Sequence, residues 1–421
     1  MTQNRTRVFR NLELFDPETG RCQQGFDVLV ENGRFARIAP GIEVSDDIPA
    51  HDLGGRVLMP GLIDCHVHVT AHDRMQSPIM ASMLNMIVTN KIRRMLFRGF
   101  TTARDTAGAD AGHRDAVAKG LIKGPRLFVC GRGLSQTGGH GDMRARIDQA
   151  APCRCAHMIY QNGGGLGRIC DGEAEVRRAA RDEIRLGADF IKIFASGGVG
   201  SPADPIHFLQ YSEAEIRAIV EETEHAGTYA AAHAYTAAAI YRAVDYGART
   251  IEHGNFIDER TAALMAERGA FLVPTLVAYH KEVEFGDQLP PEILEKAKRV
   301  LDVGSKGLEI ARKGGVKMAF GTDLMGDLEE FQNEEFAIRC EVLSAADVIR
   351  SATTVAADLL GMSGQIGVIR EGALADAIVV DRNPADDISV LGDQGRRMSL
   401  IMKDGAIIRS QLAEVVTKRE S

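Results

Sequence analysis

His66 and His68 stand two positions apart in the segment GLIDCHVHV. On a β-strand that spacing points both imidazoles to one side. Two neutral imidazoles side by side at a strand end suit a divalent ion such as zinc. Lys192 lies inside the apolar run ADFIKIFAS. A lone ammonium there must shift its protonation, change chemically or snorkel out of the strand end. His233 ends the apolar stretch 229–233, and His253 ends the stretch 250–253. One such histidine is ordinary core; two at successive strand ends are harder to assign to packing. Asp323 follows 316–321 in the turn Gly-Thr-Asp, where it could cap a helix or join the histidines.

The elements that must position these residues are short apolar β-type runs alternating with helical patterns, the signature of parallel βα units. Eight runs qualify as strands: 62–68, 101–104, 126–130, 189–194, 229–233, 250–253, 271–274 and 316–321. Helical patterns at 173–186, 213–226, 236–246 and 258–268 separate several of them. Eight strands each followed by a helix is the count of a (β/α)8 TIM barrel, although the count alone also admits a doubly wound open sheet. His66 and His68, Lys192, His233, His253 and Asp323 fall on strands one, four, five, six and eight. All lie at or just beyond C-terminal strand ends, where barrel enzymes place their chemistry.

The two chain ends read differently from the middle. Residues 1–60 hold β-type runs broken by Asn32-Gly33, and 364–421 hold others around Asp404-Gly405. Both dipeptides are hairpin signals. The expected architecture is a barrel over 61–363 and a small β-sandwich built from 1–60 and 364–421. The long connection 131–172, with three glycine clusters and no periodicity, is expected to be a lid after the third strand.

Taken together, PGLIDCHVH, the strand lysine, AAHAYT, IEHGN, FGTD and GALADAIVVDRNP resemble the amidohydrolase superfamily in its binuclear-metal subtype. The likeness covers nearly the whole chain. It implies two divalent metal ions, with zinc the expected metal. It also implies that His66, His68 and Asp323 hold the more buried ion, and that His233 and His253 hold the second. Lys192 would be carboxylated by CO2 and bridge both. That modification turns a costly buried cation into an anionic ligand. Two such cations would give hydroxide near neutral pH, with Asp323 moving its proton to the leaving amine.

The GGHGD loop, IKIFASGGV and AAHAYT look like the branch containing Xaa-Pro dipeptidases and enzymes cleaving before C-terminal arginine or lysine. Related members cleave ochratoxin-like N-acyl amino acids. An imidazolonepropionase-like ring hydrolase is the rival, but such relatives typically use one metal and lack the strand lysine. The implied substrate is a dipeptide or N-acyl amino acid with a free α-carboxylate. His140, in the long loop, is placed to reach its carbonyl. Tyr235, two residues after His233, is placed to hold a carboxylate or carbonyl. Arg144 and Tyr160 are further lid candidates.

Other motifs point elsewhere or nowhere. Cys153-Arg-Cys155-Ala-His157 lacks a second ligand pair for a structural zinc. The glycines at 163–165 and 197–200 lack a phosphate-binding fingerprint. His72, His113, His225 and His280 read as surface or helix residues. With 421 residues, 45% hydrophobic and a net charge of −8, the chain is no nucleic-acid binder by charge. No run is long enough for a membrane span and no signal peptide is visible. Seven scattered cysteines read as reduced thiols, which points to the cytoplasm; a homo-oligomer is a separate expectation. A ligand-depleted interaction protein is the reading from another class, but all six ligand positions are filled.

Overall fold

Alternating apolar and polar residues at both chain ends form strands with one buried face. The computed structural model describes residues 6–74, 79–144, 165–201 and 204–412. Arg7–Asp16, Arg21–Glu31, Arg34–Ala39 and Ala50–Pro60 join Ala377–Val380, Leu400–Lys403 and Ala406–Ser410 in one seven-stranded sheet. The join is antiparallel between Ala50–Pro60 and Ala377–Val380, with Met59 opposite Ile378. Phe9, Val28, Phe35, Leu58, Val379 and Met402 fill the core of this small β-sandwich. Asn32 and Gly33 (φ 50° and 78°) and Asp404 and Gly405 (φ 48° and 71°) make the two hairpin turns, the left-handed pair that a two-residue hairpin requires.

The middle of the chain is a (β/α)8 barrel. Five parallel strands, Ile191–Phe194, Ala230–Thr236, Thr250–Phe256, Phe271–Val273 and Lys317–Met318, lie side by side in that order. Leu62–Val67, Phe100–Asp105 and Arg126–Val129 form a second set. Hydrogen bonds from Cys65 N to the Phe320 carbonyl and from Asp189 N to the Val129 carbonyl, both 2.7 Å, link the two sets. These are the eight strands expected from the sequence, the last shorter than its apolar run. Most barrel strands are buried along their length, as strands covered on both faces are, and buried polar residues such as Thr101, Arg104 and Glu252 interrupt their apolar runs.

Helices follow the strands with legible ends. Glu213–His225 begins with a capping box between Ser212 and Glu215. Glu259–Arg268 begins at Asp258 and stops at left-handed Gly269. The 131–172 connection is not a plain loop. Gly133–Ser135 and Gly167–Ile169 pair in parallel and extend the sheet beyond Ile191–Phe194. Cys153, Cys155, His157 and Tyr160 lie outside the described residues.

Contacts group Met1–Asp64, Arg94–Thr102 and Phe336–Ser421 into one compact unit, and Cys65–Arg93 with Ala103–Glu335 into another. Among the described residues no helix is long and apolar enough to cross a membrane. Among the described residues Cys22, Cys65, Cys130, Cys170 and Cys340 form no disulfide.

Candidate metal centre

Eight residues singled out from the sequence line a single cavity: His66, His68, His140, Lys192, His233, Tyr235, His253 and Asp323. Its empty space, open mouth included, is about 820 Å³, within the range that holds small ligands. His66 is on the buried strand Leu62–Val67, with His68 directly after it. Gly321 permits the close approach of the eighth strand, since a Cβ there would meet His66 Cβ at 2.8 Å. Two of the eight lining residues have unusual backbones: His253 (φ 74°) and Asp323 (φ 53°) are left-handed without being glycine. Such conformations cost free energy and persist where the surroundings enforce them, often at functional sites.

Asp323 Oδ1 lies 3.2 Å from His68 Nε2 and 3.5 Å from His66 Nε2. One ligand atom from each of these residues falls within 4.8 Å of the others. The His233 and His253 rings are 4.6 Å apart, and His66 and His253 are 4.9 Å apart. The outer nitrogens are held. His66 Nδ1 faces Glu252 Oε2 at 2.8 Å, and His68 Nδ1 faces the Ala107 carbonyl at 2.9 Å. Those partners favour the tautomers that leave each Nε2 lone pair for the cavity.

Glu252 was not found from the sequence, yet it is central. Arg104 Nη2 donates to both of its carboxylate oxygens at 2.8 Å, and Thr250 donates at 2.7 Å. In a regular strand, neighbours 252 and 253 would face opposite sides. The left-handed turn at His253 breaks that alternation and lets both residues serve the centre.

The electrostatics suit cation ligation. Burial lowers His233 and His253 well below their ordinary values, keeping them neutral. Burial alone would raise the Asp323 carboxyl, but His66 and His68 hold it well below the usual carboxylate range. Burial also lowers Lys192, whose side chain is 1% exposed. A neutral amine is the form that can react with CO2. Asp323 Oδ1 is buried and accepts no hydrogen bond among the described residues. A nitrogen-and-carboxylate donor set around a carboxylate oxygen without a donor fits a divalent ion.

His140 stacks on His233 at 4.2 Å. Its Nδ1 faces Ser201 Oγ at 2.7 Å, with Asp204 Oδ2 at 3.6 Å. Gly198 leaves room for the ring, since a Cβ there would come within 2.2 Å of it. The Tyr235 hydroxyl is 2.6 Å from Tyr279 Oη, which is 3.0 Å from His253 Nδ1. Arg144 forks onto Asp142. His113 sits in a helix cap with Asp110, and His225 ends the helix Glu213–His225. Tyr279 and Glu282, on Leu276–Glu284, also line the cavity and went unnoticed in the sequence. Burial and nearby Asp323 push the Glu282 carboxyl up to about 8.

The chain is similar to several characterised proteins. A solved prolidase, complexed with N-methylphosphonate-L-proline, is 45% identical with a TM-score of 0.92, covering 96% of this chain and 100% of that one. A Xaa-Pro dipeptidase with bound methionine in its active site is 30% identical, with a TM-score of 0.85 and coverage of 96% and 100%. Ochratoxinase of Aspergillus niger is 33% identical over 364 residues, covering 84% of this chain and 76% of the relative. The Amidohydrolase family model matches residues 57–408. By that match, which spans most of its length, the chain belongs to the amidohydrolase family.

Proposed function

We propose that this enzyme, a hydrolase of amide bonds by family, cleaves a dipeptide or N-acyl amino acid bearing a free α-carboxylate, in the manner of a Xaa-Pro dipeptidase. The observation that carries the reading is the convergence of His66, His68, Lys192, His233, His253 and Asp323 on one cavity. The similarity to a prolidase across nearly the whole chain supports the substrate class. An ochratoxin-type N-acyl amino acid amidase is the second reading, favoured by the likeness to ochratoxinase. We also assign the catalytic barrel to 61–363, and expect a homo-oligomer in the cytoplasm.

In this reading His66, His68 and Asp323 would hold one divalent ion and His233 and His253 the other. Lys192, whose neutral amine would add CO2 and release one proton to become a carbamate, would supply an anionic ligand to that centre. When bound, the ions supply Lewis-acid polarisation of the substrate carbonyl and activation of a water. Asp323 accepts the proton of the attacking water and delivers it to the leaving amine. His140 donates to the carbonyl oxygen. Tyr235, tied to Tyr279, orients the carboxylate.

Glu252 acts through His66. Glu252→Gln is expected to lower metal affinity by about 10–100-fold, the usual effect of losing a carboxylate behind a ligating histidine. Zinc titration of the metal-free protein against a chelator measures it; unchanged affinity would remove Glu252 from that role.

The carboxylate requirement is tested with matched pairs of Xaa-Pro dipeptides. Donors matched to a carboxylate are left unpaired by an analogue without one. The C-terminal amide should therefore lose most of kcat/KM relative to the free acid, and Tyr235→Phe should narrow the gap. Equal cleavage of acid and amide would leave only a generic amide hydrolase.

A further inference from the structure

Glu282 stands on Leu276–Glu284 three residues after Tyr279, so the two share one helix face. Both line the same cavity as Asp323 and His253. Glu282 Oε2 is buried, and among the described residues no hydrogen-bond donor reaches it. A carboxyl withdrawn from water keeps its proton unless a cation or donors meet it, so an arriving cation is what favours its charged form. Arg74 lines the cavity too and its charge partly offsets the burial of Glu282, but its Nη1 donates to the Phe285 carbonyl at 2.8 Å, and no ion pair joins it to Glu282 among the described residues. Leu289, Ile293 and Met325 supply apolar wall around the same space. An acidic end with apolar sides complements an alkyl chain that ends in a positive charge.

We propose that Glu282 binds a cationic group of the substrate, an ammonium or a guanidinium, and selects charged substrates over neutral ones of equal size. The inference rests on the amide-hydrolase reading of the cavity for its role in catalysis, but not for the binding itself. Two parts of a dipeptide can carry the charge. The α-ammonium is absent from an N-acyl amino acid, and a lysine or arginine side chain is absent from an apolar isostere. Arg74 keeps the cavity from being uniformly acidic and leaves a counter-charge for the substrate carboxylate.

The test uses the metal-loaded full chain as wild type, Glu282→Gln and Glu282→Lys. Ala-Pro is compared with N-acetyl-Ala-Pro, and Ala-Lys with Ala-norleucine, by the ratio of kcat/KM within each pair. In at least one pair the wild type should favour the cationic member by about 10–100-fold, the usual worth of a charge-assisted hydrogen bond out of water. That ratio should fall towards unity in Glu282→Gln and invert in Glu282→Lys. The pair that responds tells α-ammonium from side chain. A ratio identical in wild type and Glu282→Gln overturns the proposal. Calorimetric binding of n-butylamine against n-butanol gives a readout free of turnover. Loss of butylamine preference in Glu282→Gln supports the site even if no dipeptide is cleaved, which would count against the amide reading alone. Equal butylamine binding by both proteins overturns the site.

Discussion

Lys192→Ala is expected to lose most of its bound metal and to turn over at least about 10³-fold more slowly, because a water without metal activation is a far weaker acid and yields almost no hydroxide near neutral pH. The physical case begins with burial. Lys192 is enclosed in the strand Ile191–Phe194, and its ammonium form is disfavoured there. A simple packing role would predict that alanine leaves a cavity and lowers stability while metal stays bound. The bridging role predicts the reverse weighting: modest structural change with metal gone. Metal content per chain, measured beside kcat and a melting curve, separates them. Isotopically labelled bicarbonate should place a carbamate on wild-type Lys192. Full metal content and an unchanged rate in Lys192→Ala would end the bridge.

Asp323→Asn is expected to keep the fold and lose about 10²–10⁴-fold in turnover, the worth of a positioned general base. The amide is nearly isosteric but cannot take a proton from water. Asp323 also sits within 3.2 Å of His68 Nε2, so its loss can weaken metal binding as well. Metal occupancy must accompany the rate. A slow variant at full occupancy assigns the loss to proton transfer; a slow, metal-poor variant assigns it to ligation. Unchanged turnover at full occupancy would remove Asp323 from the mechanism.

The barrel and much of its centre were legible because the chemistry interrupts a pattern. His66, His68, His233 and Lys192 are polar residues inside apolar strand runs, and a reader who finds the runs finds them. Asp323 was visible through its turn, although its left-handed backbone was not. Glu252 was hidden by the rule that reveals strands, since strict alternation places it opposite His253. The partners of His140 were hidden because Ser201 and Asp204 come from a different connection. Glu282 lies on a helix whose facing is set by tertiary packing, so no periodicity marks it as lining a cavity. The paired strands within 131–172 were too short, at three residues each, for periodicity to register.

The pairing of Met59 with Ile378 sets a clock on the nascent chain. Ala50–Pro60 leaves the ribosome with its inner neighbour Arg7–Asp16 already made, while the strand that covers its other edge lies beyond the entire barrel sequence. At ordinary synthesis speeds, residues 61–376 take roughly 15–60 s to appear. For that interval Val57, Leu58 and Met59 present an apolar, unsatisfied border, the kind that recruits strands from other chains. Gly54-Gly55-Arg56 and Pro60 bracket that border, a glycine pair, a charge and a proline being unfavourable templates for a foreign strand. Arg56 finds its partner Asp381 only once the late strand arrives, at 3.0 Å.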